Sequence, residues 1–241
     1  MRVRFSIAVV LTAFMLAACG GGPAPYATTV GVLHPGERIM VRIARGTVNA
    51  YAPLIGQRKD IFTVQAFAKR GGAAPPLLVH KRKDGIEIDA PPLQSLLVRV
   101  PRGVTLRVIS GGGDVNATDI SGNANVTLAH GNADLMLPDY GQARDDGSGT
   151  LKILIGSSDW PGTLRFYDAK GTINLSINEN ASFHVRMHTG NGTIFTDFPL
   201  RGHAHGTSET IVGVVNGGAK RAVDIEVGVG TIRLLSLAPQ Y

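Results

Sequence analysis

Five times in this chain a glycine opens a short run whose apolar residues fall on every second position. The runs are Gly113-Asp114-Val115-Asn116-Ala117, Gly149-Thr150-Leu151-Lys152-Ile153, Gly171-Thr172-Ile173-Asn174-Leu175, Gly192-Thr193-Ile194-Phe195-Thr196 and Gly230-Thr231-Ile232-Arg233-Leu234. Two weaker copies, Asn132 to Leu137 and Glu209 to Val215, fill the gaps, so the spacing from Gly113 to Gly230 is about twenty residues per copy. A second set lies between the first: Val104 to Val108, Ala124 to Leu128, Phe183 to Met187 and Val223 to Val227. Alternation with a period of two is the pattern of a half-buried strand.

Such a repeat supplies two short strands and one apolar face, which it can bury only against the next repeat. The expected fold is therefore all-β: a β-solenoid of the right-handed parallel β-helix type, with a β-sandwich as the alternative because sandwich strands recur at 8 to 12 residues. The recurrent glycine is expected at a turn of positive φ. Residues 101–237 read as the regular repeats. Residues 30–100 read as irregular strands and an N-terminal cap, the two together making one domain over 30–241. Gln142 to Gly147 and Gly202 to Thr207 carry almost no large apolar residue and read as loops projecting from the coil. Strands near Val30 and the proline of Leu237-Ala238-Pro239 are the expected end caps.

The N-terminus is of another kind. Arg2 and Arg4 precede an uncharged run from Phe5 to Ala18, which is the layout of a secretory signal peptide over residues 1–18. The run is shorter than the roughly 20 residues a spanning helix needs. It ends at Cys19, the one cysteine of the chain. Leu16-Ala17-Ala18-Cys19 resembles the lipobox of bacterial lipoproteins, which implies that Cys19 carries a diacylglycerol and becomes the first mature residue. Gly20 stands where an aspartate favours retention at the inner membrane, so the resemblance implies the outer membrane. Residues 19–29 read as the lipidated cysteine and a flexible tether rich in glycine and proline.

Charge divides the rest unevenly. Between Val30 and Val100, 11 Lys and Arg face 5 Asp and Glu, whereas from Pro101 onward 11 face 13. The excess gathers at Arg58-Lys59, Lys69-Arg70 and Lys81-Arg82-Lys83, expected at turns. Such clusters suit anionic head groups or acidic polysaccharide, and they also protect strand edges from pairing. No stacking aromatics accompany them, so nucleic acid is not an expected partner.

The stretches Ile86-Glu87-Ile88, Leu97-Val98-Arg99-Val100-Pro101-Arg102-Gly103-Val104 and Ser110-Gly111-Gly112-Gly113-Asp114-Val115 resemble the putative-adhesin strand-repeat family of bacterial envelope proteins. The likeness runs over about residues 30 to 237. It implies a β-solenoid at the cell surface or in the periplasm, with no catalytic residues to carry over.

Candidate chemistry in the repeats is sparse. His184 and His188 lie about 13 Å apart along a strand, too far to share a metal ion. His203 and His205 point the same way at about 7 Å, with His188 a possible neighbour one coil away. Ser110 to Asp114 has the look of a calcium turn but occurs once, whereas calcium solenoids repeat theirs. Asp145 with Asp146, or Asp114 with Asp119, are the available carboxylate pairs for sugar cleavage, and neighbouring aspartates on a strand point to opposite faces. The expectation is a protein with no catalytic residues, no metal site and no cofactor. It is held to the membrane through acylated Cys19 and binds a carbohydrate or an envelope protein along its polar face. Asn116, Asn174, Arg165, Arg186 and Arg233 are the expected outward residues. A periplasmic scaffold or envelope-stress component is the alternative, and a polysaccharide-acting enzyme the third reading.

Overall fold

β-branched and leucine residues at alternate positions, punctuated by glycine turns, leave the backbone only one economical state, a ladder of short strands. The computed structural model describes residues 24–54, 58–68, 76–218 and 220–238, and every regular element among them is a strand. Cys19, Lys69 and Arg70 lie outside the described residues. The first part of the chain forms β1 (Ala27–Val32), β2 (Arg38–Ile43), β3 (Thr47–Tyr51), β4 (Ile61–Phe67), β5 (Leu78–Arg82), β6 (Gly85–Ala90) and β7 (Ser95–Arg99). Short strands β8 (Thr105–Ser110), β9 (Val115–Thr118), β10 (Ala124–Leu128), β11 (Ala133–Leu137), β12 (Gly141–Asp145) and β13 (Gly149–Ile155) follow. Then come β14 (Thr163–Asn178), β15 (Phe183–Thr196), β16 (Gly202–His205), β17 (Ser208–Val215) and β18 (Ala222–Leu237).

All eighteen belong to one mixed, mostly parallel sheet. Its pairings resolve into two columns. The first runs β6, β2, β8, β10, β12, then the N-terminal halves of β14, β18 and β15, each parallel to the next. The second runs β7, β3, β9, β11, β13, then the C-terminal halves of the same three long strands. One strand from each column makes a rung. In each column the alternate side chains that point inward join a single apolar cluster, including Leu106, Val108, Leu135, Ile153, Phe166, Leu175, Ile225 and Leu234. Burying one such side chain contributes about 1.5–3 kcal/mol.

Stacking order departs from chain order at both ends. β2 and β3, first in sequence among the rungs, are sandwiched between β6–β7 and β8–β9. β18, last in sequence, lies between β14 and β15. Antiparallel strands cover the outer rungs: β5 on β6, β4 on β7 with β1 beyond it, and at the far end β17 on β15 with β16 beyond it.

These pairings correct several expectations. Within residues 30–100, β2–β3 and β6–β7 are rungs in the same columns as the later repeats, while β1, β4 and β5 supply the antiparallel cover at that end. Glu209 to Val215 is an antiparallel cap and not a repeat. Leu237 pairs with Asn178 of β14, so the described end of β18 belongs to a rung, and Pro239 lies outside the described residues. Ala27 to Thr29, expected in the tether, belong to β1. Gln142 to Asp145 are not a loop but part of β12, whose inward residues Gly141 and Ala143 are small: a Cβ on Gly141 would lie 2.2 Å from Leu137 Cδ1, and Ala143 pairs with Phe166 of the next rung. Gly202 to His205 form an exposed edge strand.

Candidate binding surface

The interior corner and the outward faces carry the polar residues of the stack. At the corner, where each rung passes from the first column to the second, Gly113, Gly131, Gly149, Gly171, Gly230 and Gly192 succeed one another in stacking order. A Cβ on Gly149 would lie 1.7 Å from the Gly131 carbonyl oxygen, and one on Gly171 would lie 1.9 Å from that of Gly149. Positive φ holds at Gly113 (106°) and Gly131 (128°), but Gly149 is not among the positive-φ residues. Close approach of backbone to backbone, not turn conformation alone, is therefore what demands glycine here.

Three or four residues earlier, a second row fills the last inward position of the first column. Its register runs Ile43, Ser110, Leu128, Asp145, Asp168, Val227, Thr189. The four polar members are the buried polar and charged residues of the described chain, each 1% exposed or less. Three cap the turn that follows: Gly112 N–H donates to Ser110 Oγ (3.3 Å), Gly147 N–H to Asp145 Oδ1 (2.9 Å) and Lys170 N–H to Asp168 Oδ1 (2.9 Å). Thr189 Oγ1 accepts from Glu209 N–H across to the end cap (3.2 Å). Burial pushes the Asp145 carboxyl up, and burial reinforced by the charge of Asp145 pushes Asp168 up to about 6, against the lowering effect of the Lys170 N–H.

The outward faces differ from each other. On the second column, side chains bridge adjacent rungs: Asn116 Nδ2 donates to Asn49 Oδ1 (2.9 Å), Asn132 Nδ2 to Asp114 Oδ1 (2.9 Å), and Lys152 Nζ lies 3.1 Å from Asp134 Oδ2. Arg233 lies over the Phe195 ring at 5.6 Å. On the first column, one outward row runs Arg107, Asn125, Gln142, Arg165 over four consecutive rungs, about 14 Å at the spacing of paired strands. Arg107 and Arg165 are exposed, and neither has an anionic partner among the described residues. Asn125 Oδ1 is buried with no hydrogen-bond partner. Beside the row, Arg144 stacks on Tyr167 at 4.3 Å and pairs with Asp146 (2.6 Å). Asp224 comes next in the row, in register with Arg165 and 3.7 Å from Arg186, so the cations of this face that form no ion pair among the described residues are Arg107 and Arg165.

Asn116, Asn174, Arg165, Arg186 and Arg233 all lie on outward positions in two rows: Arg165 and Arg186 on the first column, and Asn116, Asn174 and Arg233 on the second. Arg107 was not among the expected residues, although its alternation in Val104 to Val108 marked it as outward. Asp145 points into the core and Asp146 to solvent, as neighbours on a strand must. Asp114 is engaged by Asn132 through both its backbone and side-chain N–H groups, and Asp119 sits at a left-handed turn with φ 58°. His188 does not stack beside His205. β17 intervenes, and Thr210 lies between His188 and His203, bonded to His188 Nδ1 at 2.9 Å. Among the described residues no cluster of three or more His, Cys, Asp or Glu is placed to hold a metal ion.

Two clefts accompany the faces. One of about 400 Å³ is lined by Ser121, Asn123, Asp139, Tyr140 and Trp160. Trp160 is otherwise buried against Phe183, which in turn meets Phe198 edge-on. The other, of about 510 Å³, lies near the β5 end and is lined by Arg42, Pro76, Leu78, Asp89, Pro91 and Ile109.

No family model and no curated protein sequence matches this chain. Among solved structures, the chain is similar to a putative cell adhesion protein from Clostridium sporogenes ATCC 15579, at 10% identity and a TM-score of 0.46, over 88% of this chain and 99% of that one. It is similar more remotely to a putative adhesin from Bacteroides fragilis NCTC 9343, at 9% identity and a TM-score of 0.25, over 88% of this chain and 100% of that one.

Proposed function

We propose that this protein is a bacterial lipoprotein, anchored through acylated Cys19 at the outer membrane, that displays a non-catalytic, adhesin-like β-solenoid for binding at the cell envelope. The solenoid reading is supported by the two columns of parallel rungs, in which alternate chain segments return to the same register. The binding reading is carried by one observation: the first column's face presents the Arg107, Asn125, Gln142, Arg165 row on successive rungs, with two exposed guanidinium groups that form no ion pair among the described residues. Arginine forks and amides at fixed spacing suit an extended partner bearing carboxylates and hydroxyls, such as an acidic carbohydrate of the envelope.

The test is protease shaving of intact cells beside permeabilised ones, with detection of the β18 region. Digestion on intact cells is the expected result for surface display. Protection until permeabilisation would replace it with the periplasmic reading, in which the same face meets an envelope protein.

A further inference from the structure

The topology at the β1 end bears directly on how an anchored chain would stand on a membrane. β1 precedes every rung in sequence, yet it lies outermost, bonded to β4 alone. Eight residue steps separate Cys19 from Ala27, a reach of at most about 28 Å. The eight rungs among the described residues span about 34 Å at the spacing of paired strands. An acyl group on Cys19 therefore holds the β1 end close to the bilayer and leaves the β16 end beyond the reach of the linker.

The same end carries an unusual pairing of charge and apolar exposure. Lys59, Lys81, Lys83 and Arg102 are all exposed, and none has an anionic partner among the described residues. Their neighbours are neutralised: Arg58 by Asp60 (2.6 Å), Arg38 by Asp84 (3.0 Å) and Arg82 by Glu87 (2.6 Å). Arg102 and Lys59 share one corner, joined by the Arg102 N–H to the Lys59 carbonyl at 3.3 Å. Lys81 lies not at a turn but on the edge strand β5. On β1 and β5, Val30, Val32, Leu78 and Val79 are 59%, 49%, 50% and 36% exposed. Lysines alone would serve to protect a strand edge. Four exposed aliphatic side chains beside them do not serve that purpose, and the mixture is that of a surface that lies at a lipid interface.

We propose that the end formed by β1, β4 and β5 is a docking face for anionic phospholipid head groups, an inference that rests on the anchoring at Cys19 proposed above. Each free cation near an anionic leaflet strengthens docking roughly fivefold, and salt screens the effect. The stack then stands with its β5 end on the bilayer and its first-column face directed sideways into the envelope.

The experiment uses the purified acylated chain on vesicles of phosphatidylcholine, with and without phosphatidylglycerol, both doped with a head-group quencher lipid. The Cys19 thiol is consumed by the lipid, so a fluorophore can be placed singly through Val79→Cys, through Leu78→Cys if the first variant folds poorly, or through Val212→Cys at the far end. The expected result is strong quenching at position 79 or 78 on anionic vesicles only. High salt, or the triple substitution Lys59→Gln, Lys81→Gln and Lys83→Gln, should relieve it, and position 212 should stay bright throughout. Equal quenching at both ends, or a bright label at 79 on anionic vesicles, overturns the docking face while leaving the anchor intact. Failure of the protein to stay with any vesicle overturns the anchor and the docking face together. A concentration-dependent change at position 79 in detergent alone assigns the surface to a second copy of the chain instead.

Discussion

Asp145 and Asp168 stand side by side in adjacent rungs, both fully buried, and each leaves its Oδ2 without a hydrogen-bond partner. Each spends its other oxygen on the turn that follows. The arrangement secures the corner but places two carboxyls next to each other in a dry environment, with the exposed Asp146 nearby adding repulsion and His130 offsetting it.

This gives the stack a pH dependence of definite sign. Asp168 has a folded pKa of about 6 against an ordinary value of 3.8, so the folded state takes up a proton that the unfolded state does not between those values. The contribution of this group to stability is complete below about pH 4 and is lost as pH rises through about 6. Asp168→Asn keeps an acceptor for Lys170 N–H and removes the charge. It should stabilise the protein at pH 7.5 by on the order of 2 kcal/mol and flatten the melting temperature between about pH 4 and 6. A variant less stable than the parent at pH 7.5 would contradict this account of the corner.

The glycine row makes a sharper steric prediction. Gly149→Ala would drive a methyl into the Gly131 carbonyl at 1.7 Å, so adjacent rungs must separate, at a cost of about 3 kcal/mol or more in chemical denaturation. Gly156→Ala, whose nearest neighbour would be at 3.8 Å, should be close to neutral. Similar midpoints for the two variants would remove close approach as the reason for glycine.

The displaced order of the rungs predicts how truncation behaves. β18 lies between β14 and β15, and Val223, Ile225, Val227, Ile232 and Leu234 are buried there. A chain ending at Asn216 should lose amide protection in β15 and β17 as well as in β14. In a stack built in chain order, the loss of the last strand would strip one rung and leave the rest protected. Hydrogen exchange distinguishes the two.

Much of this architecture is legible in the residues. Period-two alternation and the recurrent glycine identify the rungs from Gly113 onward, because burial on one face forces that pattern regardless of which neighbour supplies the cover. The same signal is present earlier in the chain: Gly46-Thr47-Val48-Asn49-Ala50 is nearly the same run as Gly113-Asp114-Val115-Asn116-Ala117, and the two pair in register. Stacking order is not legible, since an inward valine fits between any two rungs and nothing local says that β18 precedes β15 in space. Nor is the buried polar row. Asp168 is in phase with the inward Leu164 and Phe166, but a carboxylate there does not fit the apolar pattern, and only the corner reveals that it is buried to cap the Lys170 N–H. Gly141 and Ala143 mislead for a related reason, being small where Leu137 and Phe166 occupy the space.

The arginine row predicts a separation of binding from stability. Arg107→Gln with Arg165→Gln should leave the melting temperature within about a degree of the parent, because surface substitutions away from special features usually stay within about 0.5 kcal/mol. The pair should weaken salt-sensitive retention on immobilised polygalacturonate at least tenfold, while Arg233→Gln on the other face should not. Equal retention of all three proteins would direct the search for a partner elsewhere on the molecule.

The most direct test of the account is the fate of the chain when its single thiol is removed. Detergent-phase partitioning of the cell-expressed protein, combined with metabolic labelling by a fatty-acid analogue, compares the parent with Cys19→Ser. The account predicts that the parent is labelled and enters the detergent phase, whereas the variant is unlabelled, leaves that phase and keeps the circular dichroism of a β protein. A labelled variant, or unchanged partitioning without label, would contradict an anchored envelope module built on Cys19.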